Sequence, residues 1–178
     1  KLAPESIEAV SMLGNYYRTQ GQLPKAALLL LDAWERATAV YGEQHELTLK
    51  LQLGLGETYR RLGRFEEATP LLEQSYQRLA TQLGKSASSV SFARQELGAL
   101  YQAVGRYAEA EPLFQDNLQI AAQEYGERSA AYCFAASDLG SLYYETGRFA
   151  SAERLQLHVF GVLGETLGQQ HWQTSVAQ

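Results

Sequence analysis

The chain has 178 residues, 46% hydrophobic and 20% charged, with 15 Lys/Arg against 20 Asp/Glu for a formal charge of -5. That balance fits an ordered chain and disfavours nonspecific binding to nucleic acid or to an anionic membrane surface. The longest apolar run, Ala26 to Leu31, falls well below the ~20 residues of a membrane span, no signal-peptide core follows the charged start, and the lone Cys133 fits a reducing compartment, hence the cytoplasm.

From Pro4 to Gln20 the apolar positions Ile7, Val10, Leu13 and Tyr17 step by three and four residues, the stripe of an amphipathic helix. Gly21 supplies a turn, where a positive φ is cheap only for glycine. A second stripe, Leu23, Ala26, Leu30, Trp34, Ala37 and Tyr41, stops at Gly42, which predicts a helix with a glycine C′ cap. The whole layout then recurs every 42 residues, as Leu13-Gly14, Leu55-Gly56, Leu97-Gly98 and Leu139-Gly140 show. Tyr17, Tyr59, Tyr101 and Tyr143 keep the same register, as do the turn glycines Gly21, Gly63, Gly105 and Gly147. So do Ala26, Ala68, Ala110 and Ala152, then Leu29, Leu71, Leu113 and Leu155, and the closing glycines Gly42, Gly84, Gly126 and Gly168. The repeats therefore read 4–42, 43–84, 85–126 and 127–168, with 169–178 as the start of a truncated fifth. Neither helix of a repeat can bury its stripe alone, so neighbours are expected to stack into one core.

Gly14, Gly56, Gly98 and Gly140 fall inside first helices, where glycine costs ~1 kcal/mol relative to alanine. A close approach of the second helix would account for that cost. Pro70 and Pro112 fall early in second helices, which predicts a slight distortion rather than a break. Lys1 in place of methionine, and an end at Gln178 without a polar capping helix, are what a segment of a longer array would show.

The pattern L-G-x-x-Y-x-x-x-G-[RQ]-[FYL]-x-x-A resembles the tetratricopeptide repeat, and its period resembles the kinesin-light-chain-like variant. Leu55 to Leu72 and Leu97 to Leu113 are similar to that variant throughout. His45-x-x-Thr48 and His171-x-x-Thr174 resemble its inter-repeat loop, with Glu46 and Trp172 where proline usually follows. The resemblance implies an all-α, right-handed superhelical solenoid of antiparallel helix pairs. It also implies a concave groove lined by first helices. Its residues would be Glu8, Ser11, Asn15, Arg18 and Thr19, then Lys50, Leu53, Glu57, Arg60 and Arg61. The third repeat would add Phe92, Gln95, Ala99, Gln102 and Ala103, and the fourth Phe134, Ser137, Ser141, Tyr144 and Glu145.

No catalytic or metal-ligand spacing emerges from His45, His158, His171 and Cys133, and no phosphate-binding loop is present. Cys133 shares its repeat position with Ile7, Leu49 and Ser91, so it reads as a packing residue. The repeat-invariant tyrosines read the same way, and Glu66-Glu67 as a solvated carboxylate pair at a helix start. Asn15 stands at one position of the chaperone-tail carboxylate clamp of the family, but Ser11 replaces its lysine, so that role is not expected.

The expectation is therefore a non-enzymatic protein-interaction scaffold, with no cofactor, that binds a protein or peptide in its groove. Arg18, Lys50, Arg60 and Arg61, opposed locally only by Glu8 and Glu57, suggest a cationic wall; Phe92, Phe134 and Tyr144 suggest an apolar shelf. A fitting ligand would pair acidic residues with an aromatic or apolar anchor. Two alternatives stay open: a regulatory array attached to a catalytic domain, and a self-assembly module using the apolar array end at Leu163 and Leu167.

Overall fold

The structure, a computed structural model, describes the backbone of residues 4–176 and the side chains of residues 7–165. Eight helices occur among these residues, with no strand: α1 (Pro4–Thr19), α2 (Leu23–Tyr41), α3 (Glu46–Arg61), α4 (Phe65–Leu83), α5 (Ser88–Ala103), α6 (Tyr107–Tyr125), α7 (Ala130–Glu145) and α8 (Phe149–Val176). They fall into two compact units, Lys1–Val104 with α1 to α5 and Gly105–Gln178 with α6 to α8. In the first unit each helix packs on the next, and α3 also touches both α1 and α5. In the second, α7 packs against both α6 and α8.

The turn after each first helix is built by its glycine. Gly63 has φ of 74°, which lets its N–H donate to the Arg60 carbonyl at 3.0 Å while Arg64 N–H donates to the Tyr59 carbonyl at 2.9 Å. These two bonds close the last turn of α3 and reverse the chain into α4. The tyrosine at that position is a packing residue: the Arg64 guanidinium lies 4.2 Å from the Tyr59 ring and Arg148 4.1 Å from Tyr143. Helices α4 and α6 run through Pro70 and Pro112 unbroken. Each proline forgoes one backbone N–H bond near the helix start.

The first unit's core holds Ile7, Leu30, Leu49, Leu55, Leu72, Leu79 and Leu100, all at most 1% exposed. Each such burial contributes about 1.5–3 kcal/mol. Gly56 explains its own presence: a Cβ there would lie 2.8 Å from two Leu72 side-chain carbons. In the second unit Cys133 is buried with Ala136 and Val159 against Leu118, Tyr132, Leu155 and Val162, which places it as a small apolar packing residue.

One expected boundary differs. Helix α8 continues through Gly168 to Val176, so that glycine does not cap it as Gly42, Gly84 and Gly126 cap α2, α4 and α6. A glycine inside a helix costs only ~1 kcal/mol, and Gln169 and Gln170 after it are good helix formers. Leu167, His171 and Thr174 lie outside the described side chains.

Candidate functional site

In the first unit, α1, α3 and α5 lie side by side and carry Asn15, Arg18, Lys50, Glu57, Arg60, Arg61, Phe92, Gln95 and Gln102. The arginines do not form an unopposed cationic wall. Arg18 on α1 pairs with Glu57 on α3, and Arg61, one turn further along α3, approaches the other oxygen of Glu57 at 3.4 Å. Arg60 donates through Nε at 2.9 Å and a terminal nitrogen at 2.8 Å to Oε2 of Glu96 on α5. Glu57 and Glu96 are each only 6% exposed. Lys50 pairs along its own helix with Glu46 at 2.5 Å. Burial pushes the Arg18 guanidinium below its usual value; Arg61 adds to this and Glu96 opposes it.

This corrects the expected site on two counts. Glu57 is a buried counter-ion rather than a groove-facing ligand contact, and Leu53 is buried at 3% exposure. Glu96 does not stand out in the sequence, because it neighbours Arg60 neither within a helix nor at a matching repeat position. First helices of adjacent repeats pack with a slight stagger, so partners sit 39 residues apart (Arg18–Glu57) or 36 apart (Arg60–Glu96) instead of at matching repeat positions. These values fall three and six residues short of the 42-residue period, a little under one and two helical turns.

The second unit presents different chemistry. Phe134, Ser137, Ser141 and Tyr144 recur at three- and four-residue steps on α7, so they form one stripe. Phe134 is 70% exposed and Tyr144 67%. Ser137 donates its hydroxyl to the Cys133 carbonyl at 2.9 Å. Tyr144 meets Phe149 of α8 edge to face, ring centroids 5.4 Å apart. Beside them opens a cleft of about 520 Å³ lined also by Gly140, Ser141, Ala152, Glu153 and Gln156. Phe149, Glu153 and Gln156 lie on the second helix, outside the first-helix positions that the repeat register singles out. Gln156 carries a legible signal, since Leu30, Leu72 and Phe114 hold that repeat position elsewhere and all three are buried.

His45 and His158 have structural partners. His45 caps α3 by accepting from the Leu47 N–H at 3.2 Å, and it stacks on Tyr41. His158 bonds the Glu127 carbonyl at 2.8 Å. Among the described residues no group of three or more His, Cys, Asp or Glu is placed to hold a metal.

A tetratricopeptide-repeat family profile matches residues 5–81 and 90–163. The chain belongs to the tetratricopeptide-repeat family. No curated protein matches the sequence. Among solved structures, the chain is similar to BtubC (BKLC) from P. vanneervenii, at 22% identity and a TM-score of 0.74 over 88% of this chain and 61% of that one. It is also similar to a kinesin light chain-like protein of nearly identical TPR-like repeats from Podosopora anserina, at 20% identity and a TM-score of 0.62 over 93% of this chain and 99% of that one. MamA (MSR-1) gives 20% identity and a TM-score of 0.60 over 93% and 82%. At such identities the likeness speaks for the fold, an all-α stack of kinesin-light-chain-like tetratricopeptide helix pairs. The chain spans about three fifths of the length of BtubC. Tetratricopeptide arrays in general are non-catalytic, and membership of the family gives this chain a protein-interaction scaffold role. No helix among the described residues is long and apolar enough to cross a membrane.

Proposed function

We propose that this tetratricopeptide scaffold binds an extended or short helical partner segment on its first helices, with a large apolar side chain of the partner anchored in the Tyr144–Phe149 cleft. The observation that carries this reading is the α7 stripe, where two aromatic rings more than 60% exposed flank two serines and lead into a 520 Å³ recess. Recesses of this size accept a compact organic group, and buried aromatic contacts supply most of the affinity in protein interfaces. Ser141 and Glu153 at its edge offer polar contacts for the segment that carries the anchor. The acidic end that a cationic wall would call for loses most of its support, because Glu57 and Glu96 pair with Arg18, Arg60 and Arg61 and offset two of their three charges.

A random peptide library selected on the immobilised chain tests the reading. Enriched peptides should share a Trp, Phe, Tyr or Leu anchor and lose at least tenfold in affinity when Tyr144→Ser and Phe149→Ser are introduced together. Enriched peptides that bind this folded double variant as tightly as the parent would place the binding site elsewhere.

A further inference from the structure

A second recess, of about 400 Å³, opens in the first unit between α2 and α4, on the side of the second helices. Its walls include Trp34 and Glu35 from α2, Glu43 from the following loop, Gln52 from α3, and Gln74 and Arg78 from α4. Gln52 is 2% exposed, and its Nε2 donates to Gln74 Oε1 at 3.3 Å. Arg78 donates to the Glu43 carboxylate at 3.2 Å and to its backbone carbonyl at 3.4 Å. Glu35 and Glu43 against Arg78 leave one negative charge in excess around the opening.

The chain itself shows what such a recess holds. Forty-two residues on, Trp34 becomes Tyr76, Glu43 becomes Lys85 and Gln52 becomes Arg94. Arg94 is wholly buried there, with its guanidinium carbon 5.8 Å from the Tyr76 ring centroid. A terminal nitrogen donates to the Lys85 backbone carbonyl at 3.0 Å. In the α2–α4 recess the ring is the larger indole, a better platform for a cation than phenol. The equivalent carbonyl belongs to Glu43, whose side chain adds a carboxylate. The residue that would supply the guanidinium is the shorter, neutral Gln52. Ring, carbonyl and a net negative charge thus border an open volume, with Arg78 at one wall sharing the Glu43 acceptors.

We propose that the α2–α4 recess receives an arginine side chain from a partner protein, its guanidinium lying over Trp34 and donating to acceptors of Glu43 and Gln74. The arrangement repeats the chain's own Arg94 seat with the cation supplied from outside. It is independent of the Tyr144–Phe149 cleft.

The probe is N-acetyl-L-arginine amide, titrated while the Trp34 indole N–H resonance is followed by NMR. Trp34 and Trp172 are the two tryptophans, so a Trp172→Phe variant assigns the signal. The arginine amide should shift the Trp34 resonance saturably. The neutral isostere N-acetyl-L-citrulline amide should not. Gln52→Arg places a guanidinium from the chain itself in the recess and should weaken binding at least tenfold with the fold intact. Arg78→Ala releases Glu43 and should tighten binding several-fold. If Gln52→Arg does not fold, the Glu35→Gln/Glu43→Gln double variant takes its place, with the same tenfold loss expected. Equal shifts with citrulline and arginine amides, or a folded Gln52→Arg that titrates like the parent, would overturn the proposal.

Discussion

Glu57 lies between two arginines and Glu96 beneath a third, so alanine at Arg60 takes the ion-pair partner from a nearly buried carboxylate, whereas Glu57 keeps one arginine after exchange of either Arg18 or Arg61. Breaking a fully buried pair from one side costs about 3–5 kcal/mol. Arg18 and Arg60 keep roughly a fifth of their side chains in solvent, so a smaller loss of about 1–3 kcal/mol is expected for Arg60→Ala. Chemical denaturation should show that loss, and Arg60→Ala/Glu96→Ala should recover part of it because no unpaired charge remains. A double variant no more stable than Arg60→Ala would mean that the pair is not coupled. The repeat register singles out the first-helix positions at this scale; Phe134 and Tyr144 among them stand exposed, whereas Glu57 and Leu53 are buried. What could not be read was the pairing across repeats. It depends on the stagger between neighbouring first helices, a packing quantity that the spacing of residues along one helix does not encode.

Helices of the same type carry different stresses at the same repeat position. A Cβ at Gly56 would meet the body of Leu72, a wholly buried side chain, at 2.8 Å. At Gly140 the nearest atom is the mobile tip of Gln156, at 3.0 Å. Alanine gains ~1 kcal/mol of helix propensity over glycine in both places. Overpacking against Leu72 outweighs that gain, so Gly56→Ala should lose about 1–2 kcal/mol net. Gly140→Ala should stay within about 0.5 kcal/mol of the parent or exceed it, since Gln156 can swing away. Paired thermal melts would check the contrast, and two equal losses would contradict it. The leucine one residue before each glycine makes a parallel case. Leu55 is wholly buried on α3, whereas Leu13 on α1 is 44% exposed. Leu55→Ala should cost about 2–5 kcal/mol, and Leu13→Ala clearly less. Periodicity alone assigns the two leucines the same role; only the packing around α1 separates them.

Over the whole molecule, the charge balance separates the two proposed sites by their response to salt. The chain carries a formal charge of -5, and three arginines that could have offset it locally are held by buried glutamates. The surrounding field therefore favours cationic ligands and offers little to acidic ones. Contacts in the Tyr144–Phe149 cleft are chiefly apolar, so peptides anchored there should bind almost equally at low and high ionic strength. At the Trp34 recess, attraction between a guanidinium and the Glu35–Glu43 pair acts near solvent, where ~0.1 M salt already limits the reach of charge to about 10 Å. Arginine amide should therefore weaken several-fold between ~0.01 and ~0.3 M salt. The indole stacking term, less sensitive to ions, should leave residual binding at the upper end. Calorimetric titrations of both ligand classes across that salt range would measure the difference. A cleft ligand whose affinity falls as steeply as that of arginine amide would mean that charge, rather than the aromatic anchor, carries binding at Tyr144.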